Sequence, residues 1–157
     1  PDVSWAREEP PGGGPLAAVA AALRSGPGAR PPVVLLAGGD MPAVGAAVPA
    51  LVAALDEASD AVDAVLLSDT GGRRQVLASA WHRAALEAAV GALGGLGSLG
   101  SLGNLDGTDG ISGVPLQRIL DGVRVLLVPD RWGAARDVDT PADLSAAAAD
   151  LPKPTVE

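Results

Sequence analysis

The sequence predicts one α/β domain with a mainly parallel sheet. Three observations carry that reading. Residues 33–37, 64–68 and 123–128 are short, nearly unbroken apolar runs rich in Val and Leu. Strands buried on both faces read this way, whereas half-exposed strands alternate. Stretches of helical spacing separate the runs, and Gly or Pro marks most of the changeovers.

The elements follow in order. Residues 2–5 are read as a short strand and residues 7–14 as a polar loop. Pro15 opens a helix with Leu16, Val19, Ala20 and Leu23 on one face, and Gly26 stops it. The strand at 33–37 leads through Gly38, Gly39, Asp40, Met41 and Pro42 into a helix at 43–58. Val44, Val48, Leu51, Val52 and Leu55 form its apolar stripe. A strand at 64–68 and a shorter one at 75–78 flank the turn at Gly71-Gly72, and 79–93 reads as a helix facing inward through Leu86, Val90 and Leu93. Residues 94–113 are glycine-rich, with a brief Leu-Gly-Ser repeat too short for a solenoid, and read as a flexible loop. A short helix at 115–121, the strand at 123–128 and a helix starting at Thr140 complete the chain.

Composition narrows the function. The 157 residues are 48% apolar but contain no Phe or Tyr and only three Trp, so packing rests on short aliphatic side chains. No cysteine and one histidine exclude thiolate and His-rich zinc centres. The formal charge of −8 argues against a nucleic-acid polymer as partner, because phosphate contacts need a basic face. It leaves room for a nucleotide whose charge a metal meets locally. No run is long enough to span a bilayer and no signal peptide is recognisable, so a cytoplasmic protein is expected.

Three stretches have the residue types for chemistry. Asp40 follows a strand on the tight turn that Gly38 and Gly39 permit, where open α/β sheets bind ligands. A carboxylate there suits a divalent cation with its phosphates, or caps the next helix. Gly12, Gly13 and Gly14 precede a helix N-terminus and leave backbone N–H groups free for a base or phosphate, although glycine is abundant throughout. Thr140, Pro141 and Asp143 fit a capping box. That box leaves Asp137 and Asp139 unaccounted for. They alternate on an extended segment and so face one way, toward solvent or a cation. Arg7, Arg73, Arg74 and Arg136 are candidate phosphate contacts, or ordinary solvated arginines. Trp81 and Trp132 read as packing residues, and His82 as a helix-surface residue.

Together these stretches resemble the MobA-like nucleotidyltransferases, which include molybdenum cofactor guanylyltransferase. Gly14-Pro15-Leu16 matches a family segment that opens a helix near the nucleotide base. Asp40-Met41-Pro42 matches the motif that supplies the main magnesium ligand. Residues 137–144 match a segment of the form Asn/Asp-x-Asn/Asp-Thr-Pro-x-Asp/Glu-Leu before the last helix, and Arg74-Gln75-Val76-Leu77 matches an intervening strand loosely. The resemblance implies a three-layer Rossmann-like nucleotidyltransferase fold. It also implies Asp40 as the catalytic metal-binding residue, Gly14, Pro15, Leu16 and Asp40 at the nucleotide, and Mg²⁺ on Asp40 with Asp137 or Asp139. GTP or CTP would be the donor, and a phosphorylated small molecule such as molybdopterin the acceptor.

One departure stands beside these matches. The family's first strand ends in Leu-Ala-Gly-Gly, followed by a loop whose Arg and Lys cradle the triphosphate. Leu36-Ala37-Gly38-Gly39 looks similar, but Asp40-Met41-Pro42 follows directly, and the one lysine of the chain is Lys153. The expectation is a domain incomplete at its N-terminus, lacking the first strand and the phosphate loop. Its strand at 33–37 should then have an open edge and poorly buried side chains. Such a chain is expected to be inactive and prone to associate. Two other readings remain open: an inactive nucleotide- or partner-binding module of the same fold, and an unrelated doubly wound domain whose acidic motifs are helix caps.

Overall fold

The computed structural model describes residues 3–9, 11–25, 30–94 and 111–150. In chain order the elements are α1 (Pro15–Ser25), β1 (Val33–Ala37), α2 (Val44–Ala58), β2 (Ala64–Ser68), β3 (Arg74–His82), α3 (Arg83–Leu93), a 3₁₀ turn (Leu116–Leu120), β4 (Val125–Pro129) and α4 (Pro141–Asp150). A second short 3₁₀ turn, Ser59–Ala61, closes α2. Of the glycine-rich segment 94–113, residues 95–110 lie outside the described residues.

The four strands form one sheet in the order β1-β3-β2-β4. β2 and β4 pair in parallel, with Ala64 opposite Val125 and Ser68 opposite Pro129. β2 and β3 are neighbours joined by the turn at 69–73, where Asp69 N–H donates to the Arg73 carbonyl (3.1 Å) and Gly72 N–H to the Asp69 carbonyl (2.9 Å). A link that short makes an antiparallel hairpin, because a parallel crossover needs a dozen or so residues. The sheet is therefore mixed, where the sequence predicts a mainly parallel one. The α/β class and the Rossmann-like arrangement hold.

The chain divides into two compact units: residues 1–34 with 81–124, and residues 35–80 with 125–157. In the first, α3 packs on α1 and on the turn Leu116–Leu120. Leu16, Ala17, Leu23, Trp81, Leu86, Val90 and Ile119 are buried there. In the second, α2 lies on β2, which pairs with β4. Val65, Leu66 and Leu67 are fully buried, and Ala47, Leu51 and Leu55 of α2 are buried as well. Each large aliphatic side chain removed from water in this way stabilises the fold by about 1.5–3 kcal/mol.

Four expectations change. Residues 3–5 form no strand, and Val3 and Trp5 are exposed. β3 runs on to His82 where the alanine-rich sequence suggests a helix from 79; Ala78, Ser79, Ala80 and Trp81 are all buried, and tertiary burial overrides local propensity. His82 consequently ends a strand and does not sit on a helix surface. The buried stripe of α2 is Ala47, Leu51 and Leu55, with Val52 38% exposed.

β1 lies at one margin of the sheet and β4 at the other; β4 starts at Val125, and with Leu126 39% and Leu127 38% exposed it is not the strand buried on both faces that the run 123–128 predicts. On β1, Leu35 is 42% exposed, and Val33, Val34 and Leu36 are only half-buried. The expected open edge and reduced burial of this strand are both present among the described residues.

Candidate active site

β1 delivers Asp40 through a tight turn. Gly38 N–H donates to the Leu77 carbonyl of β3 at 2.9 Å, and Met41 N–H turns back to the Gly38 carbonyl at 3.3 Å. A Cβ at Gly38 would come within 2.5 Å of Asp40 Oδ1 and 3.0 Å of Met41 Sδ, so both side chains would have to shift to admit one. The Asp40 carboxylate thus lies close over Gly38, while Met41 is buried. Helix α2 starts at Val44, not at Pro42, and receives no side-chain cap. Asp40 is exposed and is not a helix cap, which removes the structural role the sequence leaves open for it.

The acidic segment before α4 meets this turn. Val138 N–H donates to the Asp40 carbonyl at 2.9 Å, a bond between residues 98 apart in sequence. It anchors to Asp40 the residue that lies between Asp137 and Asp139 in sequence, both of them exposed. Thr140 and Asp143 form the capping box the sequence predicts. Thr140 N–H and Oγ1–H donate to Asp143 Oδ2 (3.0 and 2.6 Å), and Asp143 N–H donates to Thr140 Oγ1 (3.2 Å). The Thr140 hydroxyl leads the interactions that hold the Asp143 carboxyl below the usual range, against the opposing effect of desolvation.

Among the described residues, no group of three or more acidic or histidine side chains is placed to hold a metal ion. A cation at this turn would rest on one or two carboxylates, with water and substrate oxygens completing its shell. That suits Mg²⁺, which keeps several waters and binds through few carboxylates plus substrate phosphates. The hard oxygen donors of Asp40, Asp137 and Asp139 are of the right chemical type.

A residue the sequence passes over shapes the other side of the turn. β4 ends at Pro129, and Asp130 N–H donates to the Ser68 carbonyl at 2.8 Å. The half-buried Asp130 carboxylate then accepts backbone N–H groups from Trp132 (2.9 Å), Ala134 (3.1 Å) and Ala135 (2.9 Å). Burial pushes its pKa up, but the hydrogen bonds from the loop backbone, that of Ala135 foremost, outweigh this and hold it below the ordinary value. The carboxylate thereby fixes the loop carrying Trp132 and Arg136. An Asp directly after a strand, three residues before a Gly, is an Asx-turn pattern and was the available signal.

A pocket of about 130 Å³ opens next to Pro42 and Ala43, just after the Asp40 turn. Its walls are Pro42, Ala43, Trp132, Gly133, Arg136, Val138 and Ala147. Trp132 is 38% exposed there, in contrast to the fully buried Trp81, so only Trp81 is the packing residue the sequence suggests for both.

Gly14, Pro15 and Leu16 belong to the first unit. Gly14 has φ +92°, a conformation L side chains rarely adopt, and its carbonyl accepts the Ala18 N–H at 3.1 Å to start α1. Leu16 is buried and Pro15 exposed. Gly12 N–H is not free, since it donates to Glu8 Oε1 at 3.2 Å.

Residues 1–105 match the family model of the MobA-like NTP transferase domain. The chain belongs to that family. The MobA-like match contains Gly14–Leu16 and Asp40–Pro42 and ends before Asp137, so the acidic segment is tied to the motif by the Val138–Asp40 bond and not by the match. Family membership makes nucleotidyl transfer the type of function and a nucleoside triphosphate the type of substrate. No curated protein and no solved structure matches the chain. No helix of the described residues is long and apolar enough to cross a membrane.

Proposed function

We propose that this MobA-like domain transfers a nucleoside monophosphate from GTP or CTP to a phosphorylated small molecule of the molybdopterin type, in the cytoplasm, with Asp40 as the principal magnesium ligand. The observation that carries the reading is the hydrogen bond from Val138 N–H to the Asp40 carbonyl. It joins a family motif to a second acidic segment at the carboxyl end of β1, where ligands of open α/β sheets bind.

In the reaction, a phosphate oxygen of the acceptor attacks the α-phosphorus of the donor. A new P–O bond forms, the bond from the α-phosphorus to the bridging oxygen breaks, and pyrophosphate leaves with that electron pair. Such chemistry asks the protein mainly for alignment and charge neutralisation. Bound Mg²⁺ would supply neutralisation of the phosphate oxygens. Asp40 orients its carboxylate over Gly38, and Asp137 or Asp139 offers a second oxygen donor from the anchored segment. Arg136 contributes positive charge beside them.

A second reading is magnesium–nucleotide binding without turnover. It is favoured by the pocket wall, which carries a single charged side chain, Arg136. Calorimetric titration of GTP and CTP, with and without Mg²⁺, on the wild-type chain and on Asp40→Asn tests both readings. Magnesium-dependent binding should weaken about tenfold or more in the variant, as expected on loss of a charged ligand. Equal binding by the two proteins would refute the role of Asp40. Pyrophosphate release on adding a phosphorylated acceptor separates transferase from binding module.

A further inference from the structure

We infer that Asp130 is a positioning residue for the candidate site: its carboxylate holds the loop after β4 so that Val138 meets Asp40 and brings Asp137 and Asp139 with it. That these aspartates hold Mg²⁺ rests on the proposed function. The positioning itself does not.

The clamp is built out from the sheet. β2 and β4 stay paired as far as Ser68 and Pro129, and the bond from Asp130 N–H to the Ser68 carbonyl (2.8 Å) fixes the first residue of the loop. From that point the Asp130 side chain folds forward over its own loop. Oδ1 accepts the N–H groups of Trp132 (2.9 Å) and Ala134 (3.1 Å), and Oδ2 accepts that of Ala135 (2.9 Å). Arg136 N–H then turns back to the Gly133 carbonyl at 3.3 Å. Hydrogen bonds to an ionised acceptor are about twice as strong as neutral ones. The other tether of the loop is the buried methyl group of Ala134, a smaller contribution than three such bonds.

Reach decides the consequence. Only Arg136 and Asp137 lie between Ala135, the last residue the carboxylate holds, and Val138. Three steps of chain span at most about 11 Å, so a fixed Ala135 confines Val138 to a small region. Without the clamp the tether starts at Asp130, and eight steps reach about 29 Å. On the far side, the Thr140–Asp143 capping box starts α4 two residues after Val138. Val138 thus lies between two locally built anchors, and its N–H donates to the Asp40 carbonyl at 2.9 Å. Ordered in this way before any ligand arrives, the acidic segment spares a cation the entropy of ordering it.

Asp130 is no ligand in this arrangement. Both of its oxygens accept backbone N–H groups, and a cation would have to displace them.

The test reads position and ligand binding separately. Amide hydrogen exchange at neutral pH is followed by NMR in the wild-type chain, Asp130→Ala and Asp130→Asn. Val138 is compared with Val65, Leu66 and Leu67 of the buried strand β2. Asp130→Ala should speed exchange at Val138 by about tenfold more than at the β2 amides, the factor that the loss of one hydrogen bond permits. Asp130→Asn keeps one acceptor oxygen and should fall between wild type and Asp130→Ala. Equal factors at Val138 and in β2 would mean that the carboxylate serves overall stability alone, and would overturn the inference. Should Asp130→Ala fail to fold, Asp130→Asn decides between the same two outcomes. Calorimetric titration of magnesium–GTP supplies the second readout. Its affinity should fall by about tenfold in Asp130→Ala, as when the partner that orients a metal ligand is lost. Unchanged affinity in a variant whose Val138 exchange has risen would overturn the link from position to metal. A wild type that binds no magnesium–GTP fails the proposed function, and the exchange result still decides the positioning.

Discussion

Replacing Asp130 separates the architecture of the site from its chemistry. The carboxylate accepts three backbone N–H groups, with Oδ1 serving Trp132 and Ala134 and Oδ2 serving Ala135. Asp130→Asn keeps one acceptor oxygen and turns the other position into an amide donor facing the Ala135 N–H. One part-buried donor is then unsatisfied, at a cost of about 1–2 kcal/mol. Asp130→Ala removes all three partners. The Trp132 N–H is exposed and rehydrates readily, so the loss should be about 2–3 kcal/mol rather than three full charged hydrogen bonds. For a chain of this size that is a fall in Tm of roughly 4–12 °C. The sign of the pH dependence follows from the lowered carboxyl. Its folded-state pKa lies below the unfolded value of about 3.9. Its stabilisation is therefore complete above the unfolded pKa and is lost as pH falls through the folded one. Urea unfolding of wild type and both variants between pH 7 and about 2.5 reads the effect. The gap between wild type and Asp130→Ala should be full at neutral pH and shrink below about pH 4. A gap under about 0.5 kcal/mol at pH 7, the range of ordinary surface substitutions, would refute the role assigned to this carboxylate.

Two further substitutions probe the turn and the edge. Gly38→Ala puts a methyl group against Asp40 Oδ1 and the buried Met41 sulfur. Stability should fall by about 1–2 kcal/mol through overpacking, and magnesium–nucleotide binding by about tenfold because Asp40 is displaced; unchanged calorimetric binding would argue against a positioned carboxylate. Leu35→Lys on the open margin of β1 should suppress association of the chain, seen as a lower mass at high concentration in analytical ultracentrifugation. Its stability should change by no more than about 1 kcal/mol, since the aliphatic stem still covers the strand. Persisting self-association in that variant would place the contact elsewhere.

Local chemistry made much of this legible in the sequence. The unbroken run at β2 announced a strand buried on both faces, and all its residues are buried. The Pro15 start of α1 and the Thr140–Asp143 box are local patterns, and both held because caps depend on neighbours three or four residues away. The family resemblance was likewise carried by short motifs in order along the chain.

Other features were set by residues far apart in sequence. Residues 79–81 read as the start of a helix, but burial within β3 makes them a strand, and pairing of β3 beside β2 turns a mainly parallel expectation into a mixed sheet. Trp132 looked like one more packing residue until the Asp130 loop held it at a pocket wall. The meeting of Asp40 with the segment around Val138 was implied by resemblance, but the bond itself spans most of the chain. By itself the sequence determined strand and helix types, caps, the turn glycines and the acidic residues of the candidate site. Those depend on backbone sterics and on hydrogen bonds within a turn or two. Only the tertiary structure decided which strand became an edge, which tryptophan stayed in water and which aspartate built the loop, because burial and long-range pairing arise only when distant segments share one core.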